Sequence, residues 1–312
     1  MCHTLVGAAL GEAGLKHRTR LGNATLMIAA NLPDIDVLVF ATDTPSVSFR
    51  RGWTHGILAQ ALLPLALTAT MVLIERLRTA RKSSSPQPGT LESRIASPES
   101  RIRFSWLLAL AYVGLYSHVA LDYLNNYGVR LLSPLDWRWF YGDALFIVDP
   151  WLWATLGAGV WLARRRLRPM PARVALMVAA SYVAIMVASA QAARHFVIDA
   201  WRQTHGTAPA SLMVGPVPVI PFAREVIVDA GDHYVTGRFS WPPAAVRFGA
   251  TIPKRRNEPE VARAMEAANV HGFLVWSRFP YWQVQPAPSG TRVTVHDMRF
   301  GDRFAASAIV TR

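Results

Sequence analysis

The stretch GILAQALLPLALTATMVLI, residues 56–74, decides how the rest of the chain is read. It holds no charged side chain, and at about 1.5 Å per residue a helix of this length crosses a hydrocarbon core of about 30 Å. Residues 104–121 repeat the pattern with His118 near the end, and residues 174–193 form another uncharged run, broken only by Ser, Tyr and Gln. A shorter, Trp-rich run at 150–163 reaches spanning length if residues 144–148 join it across Asp149. Four spans are therefore expected.

On the amino-terminal side, residues 4–15 and 21–32 are apolar stretches of half-membrane length joined by the basic turn KHRTR, with Lys16, Arg18 and Arg20. A re-entrant helical hairpin satisfies its backbone hydrogen bonds internally and fits this pattern. Residues 83–100, rich in Ser and Pro, read as a flexible connecting loop. After about residue 196 the composition becomes that of a soluble domain. There EVIVD (225–229), HYVTGRFSW (233–241), HGFLVWSRF (271–279) and TRVTVHDMRF (291–300) have the alternating, β-branched character of strands. Asn257 with Glu260 three residues on suggests a capping box for one helix through Ala268. The expected architecture is a mainly α-helical integral membrane domain over residues 1–195, with about four spans and the hairpin. A small C-terminal α+β domain over 196–312 follows it.

Composition agrees with a membrane protein and narrows its partners. Of the 312 residues 52% are hydrophobic and only 17% charged, yet the formal net charge is +13. So apolar a chain can bury enough surface to order itself, which excludes disorder. Nucleic-acid binders are basic but not this apolar as well, so no nucleic acid is expected as partner. The single cysteine, Cys2, excludes an internal disulfide and a cysteine-based zinc cluster.

The positive charge is sorted along the chain. Arg76, Arg78, Arg81, Lys82, Arg94, Arg101 and Arg103 surround the first-to-second connection, and Arg164, Arg165, Arg166, Arg168 and Arg173 the third-to-fourth. The opposite segments hold only Arg50, Arg51, Arg130 and Arg138. Basic loops mark the cytoplasmic side. The expectation is a multi-pass protein of the bacterial inner membrane, with residues 42–55, 122–149 and the tail on the periplasmic side. The bilayer itself is the expected partner, the tail's basic residues suiting anionic headgroups.

Ionisable groups at or within spans are costly and mark functional sites by default. His118 and Asp122, four residues apart in SHVALDYLNNYG, share one helix face and can bind one metal ion from a rigid element. NLPDID supplies Asn31, Asp34 and Asp36, and RRGWTHG supplies Arg50, Arg51 and His55. Each has a plainer use: the aspartates as helix caps, His55 in the headgroup region, the arginines on lipid phosphate. Under the topology drawn from Lys and Arg alone, all of them fall on the outer side, and His3 joins them if the hairpin forms. Asp143 is left open, and Asp149 before Pro150 reads as a helix N-cap. The remaining histidines lack ligand-like spacing.

HisThr at 3–4, LPDID at 32–36, RGWTHG at 51–56, SHVALDYLNNYG at 117–128 and GDALFIVDP at 142–150 together resemble the YdjM-type family of inner-membrane, metal-dependent hydrolases. That family is in turn similar to the zinc-dependent phospholipase C and P1-type nuclease superfamily. The resemblance implies Asp34, His55, His118 and Asp122 as ligands of a divalent metal, zinc foremost, with His3 binding a neighbouring ion. Because no histidine lies between His118 and His195, one or two ions are implied.

Zinc held by histidine and carboxylate with one position open lowers the pKa of water to about 7. Asp36, or Asp34 if it is not fully used as a ligand, could orient that water or take its proton. Arg51, with Arg50 as the alternate, could hold a phosphate in its planar fork. The expected activity is hydrolysis of a lipid or other envelope phosphoester at the membrane surface. The alternative is a membrane scaffold or binding protein with a structural metal. A transporter fits poorly, since the spans show no internal repeat.

Overall fold

A computed structural model of the protein describes residues 2–42, 44–83 and 102–311. The expected loop at 83–100 lies outside the described residues apart from Ser83. The amino-terminal stretches form α1 (Cys2–Glu12) and α2 (Gly22–Ala29), joined through a 3-10 turn at Leu15–His17. They pack as the expected hairpin. Gly7 permits it, since a Cβ there would stand 2.9 Å from the Leu26 carbonyl oxygen. α2 ends at Ala29, and the chain bends by 50° into a 3-10 segment, Leu32–Ala41, with Pro33 in its first turn, where the missing N–H costs no helical hydrogen bond. A short α3 (Ser46–Phe49) follows.

The long helices are α4 (Ile57–Ser83), α5 (Phe104–Tyr123), α6 (Pro150–Arg166) and α7 (Met170–His205). Among the described residues three of them are long and apolar enough to cross a membrane, α4, α5 and α7, and the bent pair of α2 and the 3-10 segment makes up to four if it counts as one span. Their outward faces are apolar, with Leu58, Leu62 and Leu73 on α4 and Met177, Val178 and Ile185 on α7 exposed. The expected third span is corrected. Residues 144–148 do not extend α6, because the Asp149 carboxylate accepts hydrogen bonds from the Trp151 and Leu152 amides and starts the helix at Pro150. With 17 residues, α6 is about 25 Å long, at the lower limit for a span.

Basic side chains gather at one end of these helices. Lys16 and Arg164 both pair with Glu12, Arg20 pairs with Glu75, and the Arg103 amide donates to Thr19 Oγ1. The opposite end carries His3, His55, His118 and the carboxyl-terminal region. α7 runs unbroken into that region, where Val197 and Trp201 complete the core of the first sheet.

The C-terminal region is β-rich, which corrects the expectation of an α+β domain with one helix. An antiparallel sheet of β1 (Ser211–Pro216), β2 (Ala223–Asp229), β3 (His233–Ser240) and β4 (Ala245–Pro253) is followed by two short helices. These are α8 (Pro259–Ala264) and α9 (Ala268–Trp276). A second antiparallel sheet comprises β5 (Pro280–Ala287), β6 (Gly290–Asp297) and β7 (Gly301–Val310). Residues 271–279, expected as a strand, lie largely in α9. Val270, Phe273 and Trp276 recur every three residues and are buried together, a helical stripe inside an apolar run that also satisfies a strand. The helix expected from Asn257 starts at Pro259, whose fixed φ suits the first helical position, and ends at Ala264.

The second sheet and its helices hold the 124–149 connection in place. Trp276 Nε1 donates to the Tyr127 carbonyl at 3.2 Å, Arg299 Nη1 to the Asn126 carbonyl at 2.9 Å, and Arg278 pairs with Asp143 at 2.9 Å.

Candidate metal centre

Each candidate ligand is set by a different local cause. His118 and Asp122 lie one turn apart near the end of α5, so their side chains share a face. Asp34 sits in the first turn of the 3-10 segment after Pro33. His55 occupies the tight turn before α4, where the Ser133 carbonyl receives the Ile57 amide.

These four converge: one ligand atom from each of Asp34, His55, His118 and Asp122 lies within 4.8 Å of all the others. Asp122 Oδ2 is 3.1 Å from His55 Nε2 and 3.3 Å from His118 Nε2, and the two Nε2 atoms are 3.2 Å apart. Asp34 Oδ1 stands 3.8 Å from His118 Nε2. The His55 and His118 side chains are fully buried and that of Asp122 is 3% exposed, whereas Asp34 is 37% exposed and forms the open side.

The surrounding hydrogen bonds assign the ring tautomers. Thr54 Oγ1 gives its proton to Asp36 Oδ2 at 3.2 Å, so at 3.0 Å it accepts from His55 Nδ1–H. The Ala30 carbonyl can only accept, so His118 Nδ1–H donates to it at 2.8 Å. In both neutral rings Nε2 then carries a lone pair. Two nitrogen lone pairs and a carboxylate oxygen face one another in a dry site, an arrangement costly without a cation among them. Their 3.1–3.3 Å separations match the spacing of about 3.3 Å between ligand atoms around a tetrahedral ion with bonds of about 2.0–2.1 Å. The donor set therefore fits a divalent metal. Burial pushes His55 below its ordinary imidazole pKa, keeping it neutral as a ligand must be.

The other predicted site residues surround this group. His3 stacks on His118 with ring centres 3.8 Å apart, and its Nε2 is 3.4 Å from Asp122 Oδ1. Its Nδ1 is buried without a hydrogen-bond partner, and a cavity of about 30 Å³ borders His3, Asp122 and Asn125. Asp36 lies behind His55, accepting from the Arg51 amide at 2.7 Å and from Thr54. Arg51 is buried and occupied: Nη2 donates to Asp122 Oδ1 at 2.9 Å, Nη1 to Asn125 Oδ1 at 3.0 Å, and its guanidinium covers Tyr127. Arg50 is the more accessible, 3.5 Å from Asp34 and with its side chain 27% exposed. Asp143 and Asp149 stand outside the cluster, the first paired with Arg278 and the second capping α6.

Sequence reasoning did not single out Thr54, Asn125 or the Ala30 carbonyl. Thr54 and Asn125 lie inside the quoted RGWTHG and SHVALDYLNNYG strings, which was their only signal. A backbone carbonyl leaves none.

Membrane-spanning helices whose ends gather two histidines and two aspartates define an integral membrane protein with a candidate metal centre. A family model described as YdjM inner membrane protein matches residues 1–193, which include every residue of that centre. The chain belongs to the YdjM inner membrane protein family. No curated protein and no solved structure matches it.

Proposed function

We propose that this protein is a membrane-bound, metal-dependent hydrolase of a phosphoester, a lipid or another envelope metabolite, with its site on the periplasmic face. The observation that carries the reading is the convergence of His55 Nε2, His118 Nε2 and an Asp122 oxygen at ligand-like separations, an arrangement that a bound divalent cation would satisfy. Nitrogen and carboxylate donors favour zinc. The separation of the basic helix ends from the cluster supports the orientation, since basic loops are cytoplasmic.

A divalent ion bound there supplies Lewis-acid activation of water and of a phosphoryl oxygen. The protein's own residues have distinct tasks. Asp34, the exposed member, is placed to take a proton from an attacking water. Asp36 acts through Thr54 to aim His55. Arg51 holds Asp122, so the phosphate-binding role passes to Arg50, whose guanidinium stands beside Asp34 on the open side. His3, with an unpartnered Nδ1 beside the small cavity, is the candidate ligand for a second ion.

The test is elemental analysis of the full-length protein purified in detergent, joined to assays on bis(p-nitrophenyl) phosphate and on phospholipid vesicles. Stoichiometric metal, lost with activity in His118→Ala, is the expected result. Stoichiometric metal bound by four protein ligands, with no hydrolysis, would favour the structural-metal scaffold. Absence of metal together with an unaffected His118→Ala variant would end both readings.

A further inference from the structure

The end of the helix bundle remote from the metal centre has a cavity of its own. Nine helical steps of α1, about 14 Å, separate His3 from Glu12, which lines a cavity of about 380 Å³. Its walls include Lys16 and His17 from the basic turn, Arg164 from the last turn of α6, and Leu167 and Arg168 from the α6–α7 connection. That volume falls in the range of about 300–1,000 Å³ typical of small-ligand sites.

The charges in this cavity do not cancel. Glu12 is buried and is the one carboxylate among the lining residues. It accepts from Lys16 Nζ and, at 2.9 Å, from Arg164 Nε. Only Nε of Arg164 is used in that bond, so its terminal nitrogens stay available, and its side chain is 53% exposed. Arg168 is exposed, and its guanidinium has no hydrogen bond or ion pair among the described residues. Arg173 stands close by, with Nε on the Ala13 carbonyl at 2.8 Å. Three cations, Lys16, Arg164 and Arg168, around one carboxylate leave net positive charge in a concave site.

The residues around the cavity are those of a membrane interface. The cavity opens at the junction of α6 and α7, at the helix ends where Trp161 packs under Arg165 and Trp106 under Arg18, the aromatic-and-basic pairing of a membrane interface. Basic pockets between membrane helices suit lipid phosphates.

We propose that this cavity binds a phosphate oxyanion, presented by an anionic phospholipid headgroup or as free phosphate, with Arg164, Arg168 and Lys16 as donors. The site is independent of the metal centre and of its reaction.

The test is native mass spectrometry of the detergent-purified full chain titrated with phosphatidylglycerol, with phosphatidylcholine and with inorganic phosphate as competitor. Phosphatidylglycerol is expected to bind about tenfold more tightly than phosphatidylcholine, with the preference lost in Arg168→Ala and in Arg164→Gln/Arg168→Ala. Arg78→Ala, at the same end but outside the cavity, should retain it. Displacement of phosphatidylglycerol by millimolar phosphate would assign recognition to the oxyanion alone, and persistent binding would assign it to the lipid. Equal affinity for the two lipids, or an unchanged preference in Arg168→Ala, overturns the proposal. Because Arg168 is exposed and unpaired, its removal leaves the fold intact.

Discussion

Arg51 Nη2 lies 2.9 Å from Asp122 Oδ1, while the other oxygen of the same carboxylate faces His55 and His118. Asp122 is thereby divided, one oxygen fixed by a cation and one offered to the cluster. Arg51 is itself held by Asn125 and by the Tyr127 ring, so the 124–149 connection sets the orientation of a ligand on α5. Arg51→Leu removes the restraint without touching a ligand atom. Metal affinity is expected to fall about 10–100-fold, the usual cost of losing a group that orients a ligand, as read by competition with a chromophoric chelator. Arg50→Ala removes a cation beside Asp34, so it should not lower affinity and should raise KM for a phosphoester.

Thr54 couples Asp36 to His55 through one hydroxyl. Thr54→Val keeps the shape and deletes that hydroxyl, leaving His55 Nδ1–H without its acceptor in a buried site. The ring is then free to present either nitrogen. Metal affinity should drop by at least about tenfold, while Asp36 keeps its bond from the Arg51 amide and the helical content stays as in the parent. Circular dichroism and metal titration of the same samples separate the two effects.

In the C-terminal region the Asp297 and Arg299 side chains are fully buried, 2.8 Å apart. Arg299 also donates to the Asn126, Tyr127 and Trp276 carbonyls. Arg299→Met leaves a buried carboxylate without its cation and should destabilise the region by about 3–5 kcal/mol. Burial pushes the Asp297 carboxyl up, but the Arg299 guanidinium and hydrogen bonds from Ser277 and the Arg299 amide outweigh it and hold the group below its usual 3.8. A depressed carboxyl stabilises the fold above the unfolded value. That contribution is complete above about pH 5 and is lost as the pH falls through the unfolded and then the lower folded value. The stability gap between parent and Asp297→Asn, followed by Trp fluorescence, should therefore be flat above about pH 5 and narrow below it.

What could be read from the sequence was whatever had a local cause. Uncharged runs become α4, α5 and α7 because a lipid-facing helix must be apolar all round. The candidate cluster was legible because an ionisable side chain at the end of a membrane helix is costly unless used, and Asp34, His55, His118 and Asp122 do converge. Where two local patterns coincide, reading failed: the apolar run 271–279 satisfies strand and helix alike, and burial of Val270, Phe273 and Trp276 against the second sheet decides for α9. Arg51 was equally open. Its guanidinium suits a phosphate or a carboxylate, and the choice rests on Asp122, 71 positions away in the chain.

The last link in the centre is the packing of α5 on α2. A Cβ at Gly114 would lie 2.7 Å from Ala29 Cβ and 2.9 Å from the Leu26 carbonyl oxygen, so even alanine forces these two helices apart. One turn further along α5, His118 Nδ1–H donates to the Ala30 carbonyl, at the end of the displaced α2. Moving α2 away breaks the bond that aims His118 Nε2 into the cluster. Gly114→Ala is thus expected to lower metal affinity about tenfold or more although no ligand is altered. Gly157→Ala is the matched control: a Cβ at Gly157 in α6 meets nothing within 4 Å, and the substitution should raise helix stability by up to about 1 kcal/mol while leaving metal content unchanged. Parallel metal titrations of the two variants check this. Equal retention of metal in both would show that His118 is aimed by something other than its contact with α2.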